Sequence, residues 1–329
     1  MSITLRTVSN LSFMSTFKIR HITKYSYEVP VRDSANQIIL YPIKDSFQEV
    51  LQHTIQITGN PVVEMHKDYY GNDVGTFTHS KPHQELVIDS HLVVATKSKP
   101  MPAVKLSQED QWKFYESVVY QVPYIDFLKM SPGDSLQELD HLMTGPEFQH
   151  KSPLELVNGF CSYIYENFTY KKGITTVETT LTEIWRIKSG VCQDFAHMLL
   201  AMLRRKKIPA RYVSGYICPH KNGMRGEGAT HAWVEAFIPE YGWIGIDPTN
   251  NVLVNETHVR LAVGKNFSDC SPVKGTYRGT SNHTLEVAVS VEYEDGSTNR
   301  EQPESTIPAP QVSYSQNSFR RFQEMQQQQ

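Results

Sequence analysis

The chain has 329 residues, of which 39% are hydrophobic and 20% are charged, and its formal net charge is −3. This composition is typical of a globular protein long enough to form two domains, and the lack of a long basic or acidic run argues against nucleic acid or a membrane surface as a partner. No segment approaches the roughly 20 apolar residues of a membrane helix, and residues 1–17 lack the continuous apolar run of a signal peptide. The four cysteines are far apart and form no C-x-x-C pair, which favours reduced thiols. We therefore expect a soluble cytoplasmic protein.

The sequence between residues 17 and 98 is patterned as β-strands. Phe17, Ile19, Tyr25 and Tyr27 lie on one face of the first strand, at the period of two that a strand requires. Further short strand patterns cover residues 37–41, 51–58, 62–67, 74–78 and 85–95, with turn-forming residues between them. We predict an N-terminal β domain over residues 17–98, and it carries no recognisable chemistry.

Helical patterns follow this region. The first begins near Ser107, where a capping residue precedes two acidic residues. Others cover residues 135–143, 152–168, 180–187 and 192–207. The helix from Cys192 to Lys207 has little polar surface and carries basic residues at its negative end. We therefore expect it to be the central buried helix.

Strand patterns return after this helix, over residues 210–218, 230–238, 242–246, 260–263 and 284–293. Helices and strands in this arrangement predict an α+β unit over residues 99–295. From residue 296 the chain is polar and rich in Gln, Ser and Pro, so we predict a disordered tail over residues 296–329.

Cys192 is the candidate nucleophile. A thiol reacts as the thiolate, and a helix N-terminus beside an imidazolium favours that form. Gly190 allows a tight turn near a bound carbonyl, and the N–H of Cys192 is a natural oxyanion donor. Alone, this pattern more often marks a buried structural cysteine, so the functional interpretation depends on the residues that follow.

His231 and Asp247 supply that context. His231 follows the glycine-rich stretch at 223–228, which we expect to form a loop over a cleft. Each residue has an ordinary alternative explanation: a strand histidine is often structural, and an aspartate before Pro248 often caps a turn. The order Cys, His, Asp on a helix, a strand and the next strand is much less common by chance. These are the parts of a thiol acyl-transfer site, in which the carboxylate orients the imidazole.

The register of the hairpin that carries these two residues is open at this point. A turn centred between Glu240 and Tyr241 would place Asp247 opposite Val234. A turn centred on Pro239, or a bulge, is needed to bring Asp247 directly opposite His231.

Other polar residues near Cys192 have weaker patterns. Asp194 and His197 share its helix but not its face, which favours structural roles. Tyr170 and Trp185 could donate to an oxyanion, although core packing is the more common role. The sequence contains no His-Glu-x-x-His motif and no paired-cysteine spacing, so we expect no metal and no other cofactor.

These motifs resemble those of the transglutaminase-like superfamily, in particular its bacterial branch with an N-terminal β domain. The similarity covers roughly residues 17–293. It is carried by three segments at 190–196, 230–235 and 247–249, and two further segments at 264–269 and 272–275 also match. The resemblance implies a papain-like transglutaminase core over residues 99–295, with a central helix packed on an antiparallel sheet. It also implies a Cys-His-Asp triad, carried here by Cys192, His231 and Asp247.

The resemblance does not imply one reaction, because such folds host several activities. We expect thiol-dependent acyl transfer at a peptide, protein or other amide substrate, with hydrolysis favoured because water is always available. Protein-glutamine cross-linking is the alternative within the same chemistry. A non-catalytic binding module on the same fold is the alternative outside it. The sequence is silent on oligomeric state.

Overall fold

The computed structural model describes residues 14–101, 103–130, 137–176, 179–218, 224–226, 230–279 and 281–294. The predicted disordered tail at 296–329 lies outside these residues, as do residues 223, 227 and 228 of the glycine-rich stretch. Within them, no helix is long and apolar enough to cross a membrane.

The N-terminal part forms an antiparallel sheet around one long strand. Its strands are β1 (Met14–Ile38), β2 (Gln48–Ile57), β3 (Glu64–Lys67), β4 (Asp73–His79) and β5 (His83–Lys97). Neighbouring strands follow the order β2-β5-β1-β4-β3. The first part of β1 pairs with β5 and the last part pairs with β4, because the strand changes neighbours after an irregular stretch between Ser26 and Val31. The sheet therefore curls along β1.

The helices begin after this sheet. They are α1 (Gln108–Val118), α2 (Tyr124–Leu128), α3 (Gln137–Leu142), α4 (Pro153–Asn167), α5 (Leu181–Ile187), α6 (Cys192–Arg205) and α7 (Phe267–Cys270). Capping boxes start α4 at Ser152 and α5 at Thr180, where each side chain bonds a backbone N–H that the helix leaves free. The sequence did not predict α2 and α7, since helices of five and four residues are too short to show a period.

The second sheet supports the central helix. Two short strands, β6 (Thr169–Tyr170) and β7 (Ser189–Gly190), pair with each other, and the main strands are β8 (Ala210–Ile217), β9 (Thr230–Ile238), β10 (Gly242–Asp247), β11 (Val252–Leu253) and β12 (His258–Gly264). The main sheet is antiparallel and has the order β11-β10-β9-β8-β12. Helix α6 packs on β9 and β8, and α4 and α5 contact α6 in turn. The predicted α+β fold with a central buried helix on an antiparallel sheet is confirmed.

The last two strands of the chain return to the N-terminal sheet. Both β13 (Val273–Arg278) and β14 (His283–Tyr293) pair with β1, so they complete the N-terminal sheet. The register of β14 runs from Tyr27 opposite His283 to Phe17 opposite Tyr293. Alternate residues of β14 are buried against the apolar face of that sheet: Leu285, Val287, Val289 and Val291. This burial explains the pairing. These strands lie within the predicted 99–295 unit along the chain, but not within its sheet, and the boundary at residue 98 remains a prediction.

Candidate active site

Cys192 occupies the first position of α6, and its side chain is buried in the core around that helix. The turn that leads to it is held by Asp194, whose Oδ2 accepts hydrogen bonds from the Val191 N–H at 2.8 Å and the Thr175 hydroxyl at 2.7 Å. A Cβ atom on Gly190 would lie 2.5 Å from Asp194 Oδ2. Gly190 is thus required by the packing of this cap, in addition to any approach by a bound carbonyl.

The β9–β10 hairpin fixes how His231 and Asp247 meet. Ile238 pairs with Gly242 and Val234 pairs with Ile246, so the turn is centred on Glu240, which has a left-handed φ of 65°. This register places Asp247 across from Trp233 and diagonal to His231. It lies between the two registers considered from the sequence. Diagonal residues of an antiparallel pair share a face, which lets an imidazole reach the carboxylate.

The His231 and Asp247 side chains form a hydrogen-bonded pair that is closed to solvent. His231 Nε2 is 2.9 Å from Asp247 Oδ2, and both side chains have an exposed fraction of 0%. Two further groups hold the carboxylate: the Thr249 N–H donates to Oδ1 at 2.8 Å, and the Asn250 amide donates to Oδ2 at 2.7 Å. A carboxylate held in this way fixes the orientation of the imidazole.

The electrostatics of this pair favour two charged side chains. Burial raises the pKa of Asp247, but the imidazoles of His231 and His258 outweigh burial and hold that pKa below its usual range. Burial lowers the pKa of His231, but the Asp247 carboxylate and the Cys192 thiol outweigh it and raise that pKa to about 10. His231 is therefore an imidazolium at neutral pH.

The second ring nitrogen of His231 is available to the thiol. Nε2 faces Asp247, and Nδ1 is buried without a hydrogen bond of ordinary geometry to any described residue. The Cys192 thiol is close enough to raise the pKa of the ring. The structure thus brings all three sequence-predicted residues together, as a thiol, an imidazole and a carboxylate in series.

A short segment before β9 borders this imidazole. Gly226 has a left-handed φ of 87°, and a Cβ atom at this position would lie 2.8 Å from His231 Nδ1. The Asn250 side chain holds the segment, because its Oδ1 accepts from the Arg225 N–H at 2.8 Å. The same amide also donates to Asp247. Asn250 therefore connects the bordering segment to the carboxylate, a link that no local sequence pattern indicates.

His258 is a second histidine at the carboxylate, and the sequence analysis missed it. It begins β12, is buried, and places Nε2 at 3.5 Å from Asp247 Oδ2, which is long for a hydrogen bond. Burial lowers the pKa of His258, so the ring is neutral at neutral pH. Only the order of strands in the sheet brings it close, so no local pattern could have identified it.

The other candidate residues take different positions. His197 Nε2 accepts a hydrogen bond from the Phe267 N–H at 3.2 Å, and burial lowers its pKa to about 4. Trp185 stacks on Tyr163 with ring centroids 6.1 Å apart. Tyr170 lies at the site: β6 and β7 place it opposite Gly190. Burial raises the pKa of Tyr170, and nearby negative charge from Cys192 raises it further.

The described residues contain no group of three or more His, Cys, Asp or Glu side chains arranged to hold a metal ion. The arrangement that they do contain can supply a nucleophile, a proton carrier and an orienting carboxylate.

Comparison with known proteins places these elements in a family. Residues 144–248 match the sequence model of the transglutaminase-like superfamily, and this matched segment contains Cys192, His231 and Asp247. Residues 17–95 match the bacterial transglutaminase-like N-terminal region. An uncharacterized protein of Mycobacterium tuberculosis is 31% identical over 299 residues, which cover 85% of this chain and 94% of that protein. The chain belongs to the transglutaminase-like superfamily.

Two further relatives are informative to different degrees. A solved structure from Cytophaga hutchinsonii, described as a candidate cysteine protease, superposes with a TM-score of 0.69 at 21% identity, over 94% of this chain and 96% of that one. This likeness shows the shared fold. A protein-glutamine gamma-glutamyltransferase of Pseudomonas aeruginosa is 33% identical over 111 residues, which cover 31% of this chain and 17% of that enzyme.

Proposed function

We propose that this protein catalyses thiol-dependent acyl transfer at a peptide or related amide, through a thioester on Cys192. The observation that carries the proposal is the buried His231–Asp247 pair at 2.9 Å, with the second ring nitrogen of His231 left for the thiol. In this reaction the Cys192 sulfur attacks the amide carbonyl, His231 gives its proton to the leaving amine, and an acceptor then attacks the thioester.

Hydrolysis is the favoured outcome, with water as the acceptor. His231 activates the water by taking its proton, and the acyl group leaves as a carboxylic acid. The first N–H groups of α6 lie at the nucleophile, where they can stabilise the oxyanion. No cofactor takes part in these steps.

Protein-glutamine cross-linking is the second candidate. It is supported by the similarity to the Pseudomonas aeruginosa gamma-glutamyltransferase, which extends over 31% of this chain. The two reactions share the thioester and differ only in the acceptor.

One experiment separates the two reactions. The protein is incubated with a glutamine-containing peptide and a labelled primary amine, and mass spectrometry follows both products. Hydrolysis predicts release of ammonia and a glutamate side chain, or peptide cleavage, in excess of amine incorporation. Amine incorporation that exceeds hydrolysis would replace the first candidate by the second. The Cys192→Ala variant is the blank for both products.

A binding module without catalysis is tested by thiol reactivity. Burial raises the pKa of Cys161, Cys218 and Cys270 above the usual range, so these thiols are matched internal controls. Iodoacetamide near neutral pH should modify Cys192 first, as read by peptide mapping. Modification of Cys192 no faster than of Cys161 would contradict an activated nucleophile and favour the binding module.

A further inference from the structure

A cavity of about 240 Å³ lies between the N-terminal sheet and the sheet that carries the triad. Residues 45–48, 96, 97 and 99–101 line it from the N-terminal side, and parts of β8, β9, β10, β11 and β12 line it from the other. Its volume is below the roughly 300–1,000 Å³ of pockets for drug-sized ligands. The cavity therefore suits a small molecule.

Most of the charge on its wall is internally paired. Glu235 accepts from Arg211 at 2.6 Å and lies 3.6 Å from Arg260. Arg260 also pairs with Asp45. Two arginines and two carboxylates thus balance each other, and burial of this network is tolerated because each charge has a partner.

Lys99 is a further cation on this wall. Burial lowers its pKa, and the nearby Glu235 and Asp45 carboxylates act in the opposite direction. Its ammonium group donates to the Trp243 carbonyl at 2.5 Å and lies 4.1 Å from the centre of the Tyr241 ring. No carboxylate of the described residues forms an ion pair with it. One of its three N–H groups is used by the carbonyl, so two remain for a ligand. Lys97, which is partly exposed at the same cavity, adds a second positive charge.

The remaining wall is largely apolar or aromatic. It includes Phe47, Tyr241, Trp243, Leu253 and Val254. Such a surface favours a ligand with a hydrophobic body, whereas an inorganic anion would leave it uncovered. An ammonium that forms no ion pair with the described carboxylates and lies beside aromatic rings favours a ligand with an anionic group attached to an apolar one.

We propose that this cavity binds a small organic monocarboxylate, with the carboxylate at Lys99 and the apolar part against Tyr241 and Trp243. The site is separate from Cys192, although His258 lies on the cavity wall and also faces the Asp247 carboxylate. The ligand would therefore bind on the N-terminal side of the triad.

Isothermal titration calorimetry tests this proposal with benzoate as the probe, benzamide as its neutral isostere and inorganic phosphate as an anion without an apolar body. Benzoate should bind saturably at one site, and benzamide and phosphate should bind at least tenfold more weakly. Loss of a charged hydrogen bond in Lys99→Met should lower benzoate affinity about ten- to hundredfold. Lys99→Arg should retain binding, and Lys113→Met, on the exposed surface of α1, should match the wild type.

Three results would overturn the proposal. The first is the absence of saturable benzoate binding by the wild type at concentrations up to about 10 mM. The second is equal binding of benzoate and benzamide, or of benzoate and phosphate, by the wild type. The third is undiminished benzoate binding by folded Lys99→Met. The wild-type comparison decides the question even if that variant does not fold.

Discussion

Two regions around Cys192 each carry one aspartate and one histidine, and these side chains have different roles in the two regions. At the start of α6, Asp194 caps the helix and His197 accepts a backbone N–H from Phe267. On the β9–β10 hairpin, His231 and Asp247 bond each other at 2.9 Å. The first pair is close to Cys192 in sequence, whereas the second is 39 and 55 positions away, as the residue numbers show.

The difference lies in the partners. His197 is buried beside Arg204, and both burial and that charge lower its pKa, to about 4. His231 is equally buried, but the Asp247 carboxylate raises its pKa to about 10. Burial alone makes a histidine neutral and structural, while burial against a carboxylate makes it a charged group at the thiol. Closeness along the sequence is thus a poor guide to the residues that act together.

The largest expected effect comes from the thiol at which the two regions meet. Cys192→Ala should lower kcat by about 10⁶-fold, because the nucleophile is lost. Cys161→Ala is the control: its thiol is buried and contacts the Asp247 backbone carbonyl at 3.4 Å, so the variant should keep most of its activity. Steady-state rates with an amide substrate measure both. A comparable loss in the two variants would show that Cys192 acts through folding alone.

Replacing each histidine separates the two regions directly. His231→Gln keeps the size of the side chain but cannot carry the proton, so kcat should fall by about 10⁶-fold, close to the loss for Cys192→Ala. His197→Gln retains an acceptor for the Phe267 N–H and should leave kcat within a few-fold. Circular dichroism confirms folding. Equal activity of the wild type and His231→Gln would remove His231 from the mechanism.

The two aspartates should affect different quantities. Asp247→Asn removes the charge that orients and stabilises the imidazolium, and kcat should fall by about 10⁴-fold. Asp194→Asn weakens a helix cap and should cost roughly 1 kcal/mol of unfolding free energy, with little change in kcat for the folded protein. Denaturant unfolding and initial rates give the two numbers. A larger kcat loss for Asp194→Asn than for Asp247→Asn would reverse the assignment.

The pKa values of the two histidines should be shifted in opposite directions from the ordinary value of about 6.5. In NMR spectra, the ring protons of His231 should titrate at about pH 10 and those of His197 at about pH 4, with the Gln variants used to assign each signal. His231 is charged more readily in the folded state, so its contribution to stability is full below about pH 6.5 and is lost as the pH rises to about 10. His197 has the opposite sign: its contribution is present above about pH 6.5 and is lost as the pH falls to about 4. A His231 signal that titrates below pH 6.5 would contradict a stable imidazolium.

The sequence predicted the parts of this molecule that depend on local patterns. The central helix follows from its apolar residues, and the α+β fold follows from the order of helices and strands. The residues of the candidate site were recognisable because three short motifs carry them. The geometry of the site was not recognisable from the sequence. A turn centred on Glu240 and a turn centred on Pro239 place the same side chains on the same face, so the alternation of apolar and polar residues cannot distinguish them. His258 and the return of β14 to β1 depend on long-range pairing, which has no local signal.

The smallest expected effect is that of metal removal. It tests whether His231 and Asp247 on the β9–β10 hairpin, together with Cys192, are sufficient for the proposed reaction without a metal ion. In the proposed reaction Cys192 supplies the nucleophile and His231 carries the proton, so no step requires a Lewis acid. Dialysis against EDTA should therefore leave kcat and KM unchanged, and added calcium, magnesium or zinc should not raise them. Zinc needs a separate control, because it can bind the Cys192 thiol and inhibit. Loss of activity with EDTA and its return with one divalent ion would show that the charge of His231 and Asp247 alone does not support the reaction.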